Sequence, residues 1–247
     1  MTNTIPRSLL GMLTPSSNTI LEPVTSAILA GLPHVTAHFS RFRVTEIALS
    51  ERALAQFDAG GIVDAARLLA DAHCQVIGWS GTSSAWLGFE ADRQLCKAIE
   101  AETGAHACTS VLALNELLAI RGVRRLGLVT PYRNDVQQAI VANYAREGIH
   151  CVEAHLDLRD NFSFSEATDE QILEMAAEVM NTDANLRPQA IAILCTNVRG
   201  APLAPVLERI HGVPVYDSVS TVVWKSLQLA GVSGRPLAQW GSLFDEL

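Results

Sequence analysis

Short apolar runs alternate with longer stretches of helical period along the whole chain. Leu9–Thr14, Val35–Phe42, Gln75–Ser80, Leu126–Thr130 and Ala190–Cys195 are rich in apolar side chains and end in small or turn-forming residues, as strands do. A further strand is expected near Val152–Leu156. Between them, Ser50–Ala72, Asp135–Glu147, Asp169–Met180 and Leu203–Ile210 carry helical composition and period. Alternation of this kind predicts an α/β fold, a mostly parallel sheet buried under helices.

The pattern occurs twice. Gly11-Met-Leu-Thr-Pro-Ser-Ser-Asn18 resembles Gly127-Leu-Val-Thr-Pro-Tyr-Arg-Asn134, each a strand ending in Thr-Pro before a helix. Cys74–Ser83, a strand breaking into small polar residues, matches Gln189–Asn197. Thr109–Val123 and Ser218–Val232 both read as helices ending in Gly-Val. Three matches in one order predict two α/β lobes related by a pseudo-twofold axis. Residues 1–117 with a C-terminal return, 218–247, form the first lobe, and 118–217 the second. Ligands bind beyond the carboxyl ends of parallel strands, so the facing loops of two such lobes enclose one cleft. Those loops are Thr14–Asn18, Gly81–Ser84, Thr130–Asn134, Cys195–Arg199 and Tyr216–Ser220.

Composition narrows the class. Apolar residues make up 49% of the 247 and charged residues 18%, a balance that builds a core and excludes a disordered chain. The net charge of −8 argues against a nucleic-acid or anionic-membrane surface. No apolar run reaches the ~18 residues that span a bilayer. Met1–Leu10 lacks the long apolar core of a signal peptide. Five cysteines without a CxxC pair suit reduced thiols, so a cytoplasmic location is expected. The seven histidines are scattered singly, and no metal site is predicted.

The cleft loops are hydroxyl-rich and nearly free of carboxylate, which suits an anion held by neutral donors. Gly81 lets the backbone approach a ligand, and Thr82 and Ser83 can donate to an oxyanion or cap a helix. Cys195 stands at the matching strand end, across the pseudo-twofold from Gly81, followed by polar Thr196 and Asn197. A thiol, mostly protonated at neutral pH, can give a proton to a carbanion; a free cysteine is also an ordinary buried residue. Asn18 can hold a carboxylate or cap the helix it precedes. Tyr132, after Pro131, can donate to a carboxylate. Asp160-Asn161 reads as a polar turn. Trp79, Trp86 and Phe89 wall a pocket or fill the core, and Arg41 and Arg43 clamp an anion or charge a sheet edge.

Together these loops resemble the maleate isomerase and arylmalonate decarboxylase branch of the aspartate/glutamate racemase superfamily, over about Leu10 to Val232. The string Pro15-Ser16-Ser17-Asn18-Thr19 is similar to the maleate isomerase signature, whose Asn holds a substrate carboxylate. Pro131-Tyr132 and Asp160-Asn161 look like that family's Tyr and Asn ligands. Those enzymes use one cysteine in each lobe; the second matches Cys195, and the first falls on Gly81. Cys74 lies at the beginning of its strand, too far from the loop to substitute. Gly81-Thr82-Ser83 with Cys195 alone is similar to the decarboxylase pattern, as is Gly122-Val123-Arg124-Arg125 before an apolar strand and Tyr132. Two features depart from that branch: Thr196 stands where it has glycine, and it lacks the Pro-Ser-Ser-Asn string. The resemblance implies two lobes around the site, no cofactor, a small di-acid substrate and a homo-oligomer, usually a dimer.

Counting thiols favours one reaction. A racemase needs an acid–base group on each face of the reacting carbon, and a maleate-type isomerase needs a nucleophile and a proton donor. A decarboxylase needs one proton donor and oxyanion donors for an enediolate, each contributing ~3 kcal/mol. The leading expectation is decarboxylation of a malonate-like di-acid. Cys195, Thr82, Ser83 and Tyr132 are its catalytic residues, and Pro15, Asn18, Gly81, Asn161 and Thr196 its substrate contacts. The alternatives are a maleate-type cis–trans isomerase or racemase of a small dicarboxylate, with water or Ser83 in place of the missing thiol, and a binding protein without chemistry on the same fold. Ser233–Leu247 reads as a docking tail or a closure over the first lobe.

Overall fold

A computed structural model describes residues 7–47, 49–50 and 59–246. Strands β1 (Ser8–Pro15), β2 (Val35–Phe42), β3 (Val76–Trp79) and β4 (His106–Thr109) form one sheet in the order β2-β1-β3-β4. Strands β5 (Arg125–Thr130), β6 (His150–His155), β7 (Ala190–Ile193) and β8 (Val215–Asp217) form a second in the order β6-β5-β7-β8. Every ladder in both sheets is parallel. The two orders are the same order, so the internal repeat in the sequence is a repeat of topology.

Helices cover both sheets: α1 (Leu21–Leu29), α2 (Ala59–Asp71), the one-turn α3 (Ser84–Leu87), α4 (Phe89–Thr103), α5 (Ser110–Ile120), α6 (Asn134–Arg146), α7 (Asp169–Met180), α8 (Ala204–His211) and α9 (Ser218–Leu229). The central strands are buried on both faces, which is why β3, β5 and β7 read as continuous apolar runs rather than alternating ones. The expected Ser50–Ala72 helix is α2 in its second half; 51–58 lie outside the described residues. Two edge strands, β4 and β8, were not expected. They are four and three residues long and run straight into α5 and α9, whose N-caps are the strands' own last residues, Thr109 and Asp217. The expected loop Tyr216–Ser220 is therefore the end of β8 and the first turn of α9.

The chain crosses from the first sheet to the second through Arg121–Arg124 and returns at the β8–α9 junction. Helix α9 packs on β3, β4, α1 and α5. Its approach is close: a Cβ at Gly78 on β3 would lie 2.8 Å from Val222. The C-terminal segment makes 3-10 turns over Arg235–Trp240 and Ser242–Glu246 that rest on α1, α8 and α9, with Leu237 and Phe244 fully buried. It touches elements of both sheets rather than the first alone.

In each sheet the strand order reverses at one place, between β1 and β3 and between β5 and β7. A parallel sheet opens a crevice at the carboxyl ends of such a pair. Four loops leave those ends, beginning at Ser16, Ser80, Pro131 and Leu194.

Candidate active site

The end of β1 and the segments that follow β2, β3, β5, β6 and β7 meet around one small cavity. Its wall contains Pro15, Gly81, Thr82, Ser83, Tyr132, Asn161, Cys195 and Thr196, all from the expected site, together with Trp79, Trp86, Val44 and Ile47. Gly81 and Cys195 stand two residues beyond the ends of β3 and β7, so the pseudo-twofold sets them in equivalent places. The cavity volume is about 20 Å³, room for about one water. Among the described residues none of those that line it is charged.

Cys195 is buried, and its thiol is pushed up to about 12, chiefly by desolvation. Hydrogen bonds from the Tyr132 hydroxyl and the backbone N–H groups of Asn197 and Val198 act the other way. The Asn197 N–H lies 3.4 Å from the sulfur. Burial wins, and the resting group is a thiol rather than a thiolate. Tyr132 is also raised well above its ordinary value, first by burial, and its hydroxyl shares a 2.6 Å hydrogen bond with Thr82 Oγ1. Thr82, Tyr132 and Cys195 thus form a line of polar atoms from the first lobe to the second. Trp86 meets the Tyr132 ring edge-on at 5.3 Å, and Phe164 does so at 5.5 Å from another side. The phenol is fixed.

On the other side of the cavity, position 81 has no room for a side chain. A Cβ there would lie 2.0 Å from Cζ2 of Trp79, whose indole is buried and packed at 5.1 Å on Phe42. The backbone N–H groups of Gly81, Thr82 and Ser83 donate to no protein acceptor among the described residues. They sit beside the cavity as unspent donors.

Asn18 is the one expected substrate contact outside the wall. Its Oδ1 accepts from the N–H groups of Ile20 and Leu21, capping α1, and its Nδ2 donates to Thr196 Oγ1 at 3.1 Å. Thr196 in turn donates to the Ser80 carbonyl. Asn197 accepts from the Thr19 N–H through Oδ1 and donates to the Asn161 carbonyl through Nδ2. These bonds tie the two lobes together behind the cavity. Asn161 Nδ2 donates to Ser17 Oγ, and Ser17 donates to the Val44 carbonyl. A lone antiparallel bridge, Glu46 to Asp160, adds a backbone link there. Val44 and Ile47 thereby cover the cavity.

Of the aromatics, Trp79 and Trp86 line the site and Phe89 does not. Arg41 lies on edge strand β2 and pairs with Glu22 at 2.8 Å. Cys74 is buried just before β3, at the end of the strand away from the cavity. Val44, Ile47 and Asn197 join the site without having been among the residues expected there. Asn197 carried a signal, a second polar residue directly after Cys195-Thr196; Val44 and Ile47 lie in a loop after an edge strand, where nothing local marks them.

The family model described as arylmalonate decarboxylase matches residues 18–244. The chain belongs to the arylmalonate decarboxylase family. An arylmalonate decarboxylase from Bordetella bronchiseptica is 29% identical over 188 residues, 75% of this chain and 77% of that one. A maleate cis-trans isomerase from Nocardia farcinica, solved as a cysteine-to-serine variant with a covalent succinylcysteine intermediate, superposes with a TM-score of 0.85 at 24% identity, covering 97% of this chain and 99% of that one. A glycine-to-cysteine, cysteine-to-serine double mutant of arylmalonate decarboxylase, in a liganded form, gives 0.82 at 22% identity, covering 98% and 100%. These structures share the two-lobed α/β fold. This family of enzymes has relatives that carry out two reactions, and the similarity itself favours neither. No helix of the described residues is long and apolar enough to cross a membrane, and no His/Cys/Asp/Glu group among them has a metal-binding arrangement.

Proposed function

We propose that the protein is a cofactor-independent decarboxylase of a small malonate-like di-acid, with Cys195 as its single proton donor. The observation that carries this reading is at position 81. Trp79 fills the place where a first-lobe thiol would project, so among the described residues the cavity offers a thiol on one face of the substrate only.

The chemistry uses the groups on the wall. One carboxylate of the di-acid leaves as carbon dioxide when its carbon–carbon bond breaks, and the electron pair passes through the α-carbon into the remaining carboxyl as an enediolate. Thr82, Ser83, Tyr132 and the free N–H groups of Gly81–Ser83 stabilise that charge as preorganised donors. A di-acid is larger than the one-water cavity, so in this reading the Val44–Ile47 cover moves aside to admit it; Trp79, Val44 and Ile47 then give the departing carboxylate an apolar wall, which disfavours its charge and favours its loss. The S–H bond of Cys195 then breaks, its proton forms the new C–H bond, and a thiolate remains. Tyr132 and the Asn197 N–H stabilise the thiolate until solvent returns a proton. A thiol held near 12 is suited to donating to a carbanion and poorly suited to attacking an alkene. Because the acid stands on one face, the product is formed with one configuration. Asn161 and Thr196 contact the carboxyl that stays, and Asn18 supports Thr196 from behind.

Maleate-type isomerisation is the second reading, favoured by the Asn161–Ser17 contact at the cavity edge, whose two residues come from strings similar to that family's. It requires Ser83 or a water to act on the Gly81 side. Cys195→Ala tests the main reading. Turnover of a substituted malonate is expected to vanish while the thermal unfolding midpoint stays close to that of the parent. Retained turnover would overturn the assignment of Cys195.

A further inference from the structure

A larger cavity lies at the amino end of β5, the end opposite the catalytic loops. Its volume is about 280 Å³, and it is formed where α4, α5, the Gly122–Arg124 crossing and the α6–β6 turn come together. Gly122–Arg124 precede β5, whereas Tyr132 follows it, so the two cavities are separated by the length of that strand, roughly 20 Å.

The floor is apolar: Phe89, Leu118, Val123 and Ile149 are buried. The rim is charged. Arg93 and Arg124 provide two guanidinium groups, and Glu147 provides a carboxylate in no ion pair among the described residues. Among the described residues Arg93 pairs with exposed Glu90 alone, and Arg124 reaches the Glu147 carbonyl at 3.4 Å. Asn115 adds an Oδ1 that is buried without a partner, an acceptor waiting for a donor. Two cations, an anion, an unfilled acceptor and a hydrocarbon floor are the complement of a zwitterion with an apolar body. We propose that this cavity binds an apolar α-amino acid, its carboxylate on Arg93 and Arg124, its ammonium on Glu147 and Asn115, and its side chain on the Phe89–Leu118–Val123 floor.

The same walls give the cavity a mechanical link to the catalytic site. Phe89 packs on Tyr144 at 5.1 Å, and three residues earlier Trp86 packs on Tyr132 at 5.3 Å. Trp86 belongs to the one-turn α3, which Leu87 and Gly88 join to Phe89 and which is pinned by Asn143 Nδ2 donating to the Ala85 carbonyl at 2.8 Å. A ligand that displaces Phe89 therefore pulls on the segment that carries Trp86.

Calorimetric titration of the whole protein with L-phenylalanine and L-leucine tests the site. 3-Phenylpropionate, which lacks the ammonium, and phenethylamine, which lacks the carboxylate, serve as controls. The expected result is one saturable site for an amino acid, at least tenfold weaker for either singly charged control. Ala119→Trp, at an exposed position on the rim, should abolish binding, and Arg124→Ala should weaken it at least tenfold. Both variants should melt like the parent, and Cys195→Ala should bind as the parent does. Absence of saturable binding, equal affinity for the singly charged controls, or binding that persists in Ala119→Trp would overturn the proposal. Loss of binding in Cys195→Ala would also overturn it, by moving the ligand to the catalytic cavity.

Discussion

Gly81→Ala isolates the steric argument on which the single-thiol reading rests. The added Cβ would stand 2.0 Å from Cζ2 of Trp79 and 2.4 Å from Cε2 and Cη2. Ordinary contact is ~3.5–4 Å, so the indole must withdraw by at least ~1.5 Å. Its only open side is the small cavity that it lines: Trp79 is 1% exposed, pairs with Leu13 and Thr109 in the sheet, and packs on Phe42. Overpacking of a filled core costs about 1–3 kcal/mol. For a chain of this size that lowers the unfolding midpoint by roughly 2–12 °C. Gly81 is not among the positive-φ glycines, so backbone strain does not contribute. The assay is thermal and urea unfolding of Gly81→Ala, Trp79→Leu and the double variant. Trp79→Leu alone is destabilising, since it removes a large buried side chain. In its presence Gly81→Ala should cost little, giving a coupling of about 1–3 kcal/mol between the two sites. An unchanged midpoint for Gly81→Ala, or the same loss in both backgrounds, would show that Trp79 does not close position 81 and would reopen it to a catalytic side chain.

Tyr132→Phe removes the partner of Thr82 and the donor to Cys195; kcat should fall about 10²- to 10³-fold, and a loss below about threefold in steady-state assays would exclude Tyr132 from the reaction. Burial raises Asp217 to about 7 and Asp92 to about 6, so both are protonated in the folded chain at a pH where the unfolded chain has already ionised. Stability should therefore fall as pH rises from about 4 to about 7, by at most ~1.4 kcal/mol per pH unit for each group, and level off above. Asp217→Asn keeps the α9 cap through its Oδ1 and should flatten the upper part of that slope, between about pH 6 and 7, in urea unfolding; an unchanged slope there contradicts the assignment.

The central strands β1, β3, β5 and β7 are legible because they are mostly apolar and run into small or polar residues. The same feature placed Gly81 and Cys195 at equivalent strand ends. It did not disclose β4 and β8, for a physical reason: a three- or four-residue edge strand is too short to show a period, and its last residue serves the following helix as a cap. Asn18 was legible as a polar residue before a helix, but the choice between carboxylate ligand and cap depends on the partner of its Nδ2. That partner, Thr196, is 178 residues away. The cover formed by Val44 and Ile47 depends on a bridge between Glu46 and Asp160 in opposite lobes. The Trp79 ring over Gly81 is also invisible to local reading, although the two residues are only two apart. Their contact depends on the turn the chain makes after β3.

In the proposed reaction one thiol protonates an enediolate after carbon dioxide leaves. The most direct measurement is proton NMR and mass spectrometry of products formed in deuterated buffer from a panel of substituted malonates, maleate and aspartate. The account predicts loss of carbon dioxide from a malonate with one deuteron retained at the α-carbon, in a single configuration. Conversion of maleate, or deuterium exchange into a di-acid with every carbon kept, would contradict it and require a second catalytic group on the Gly81 side.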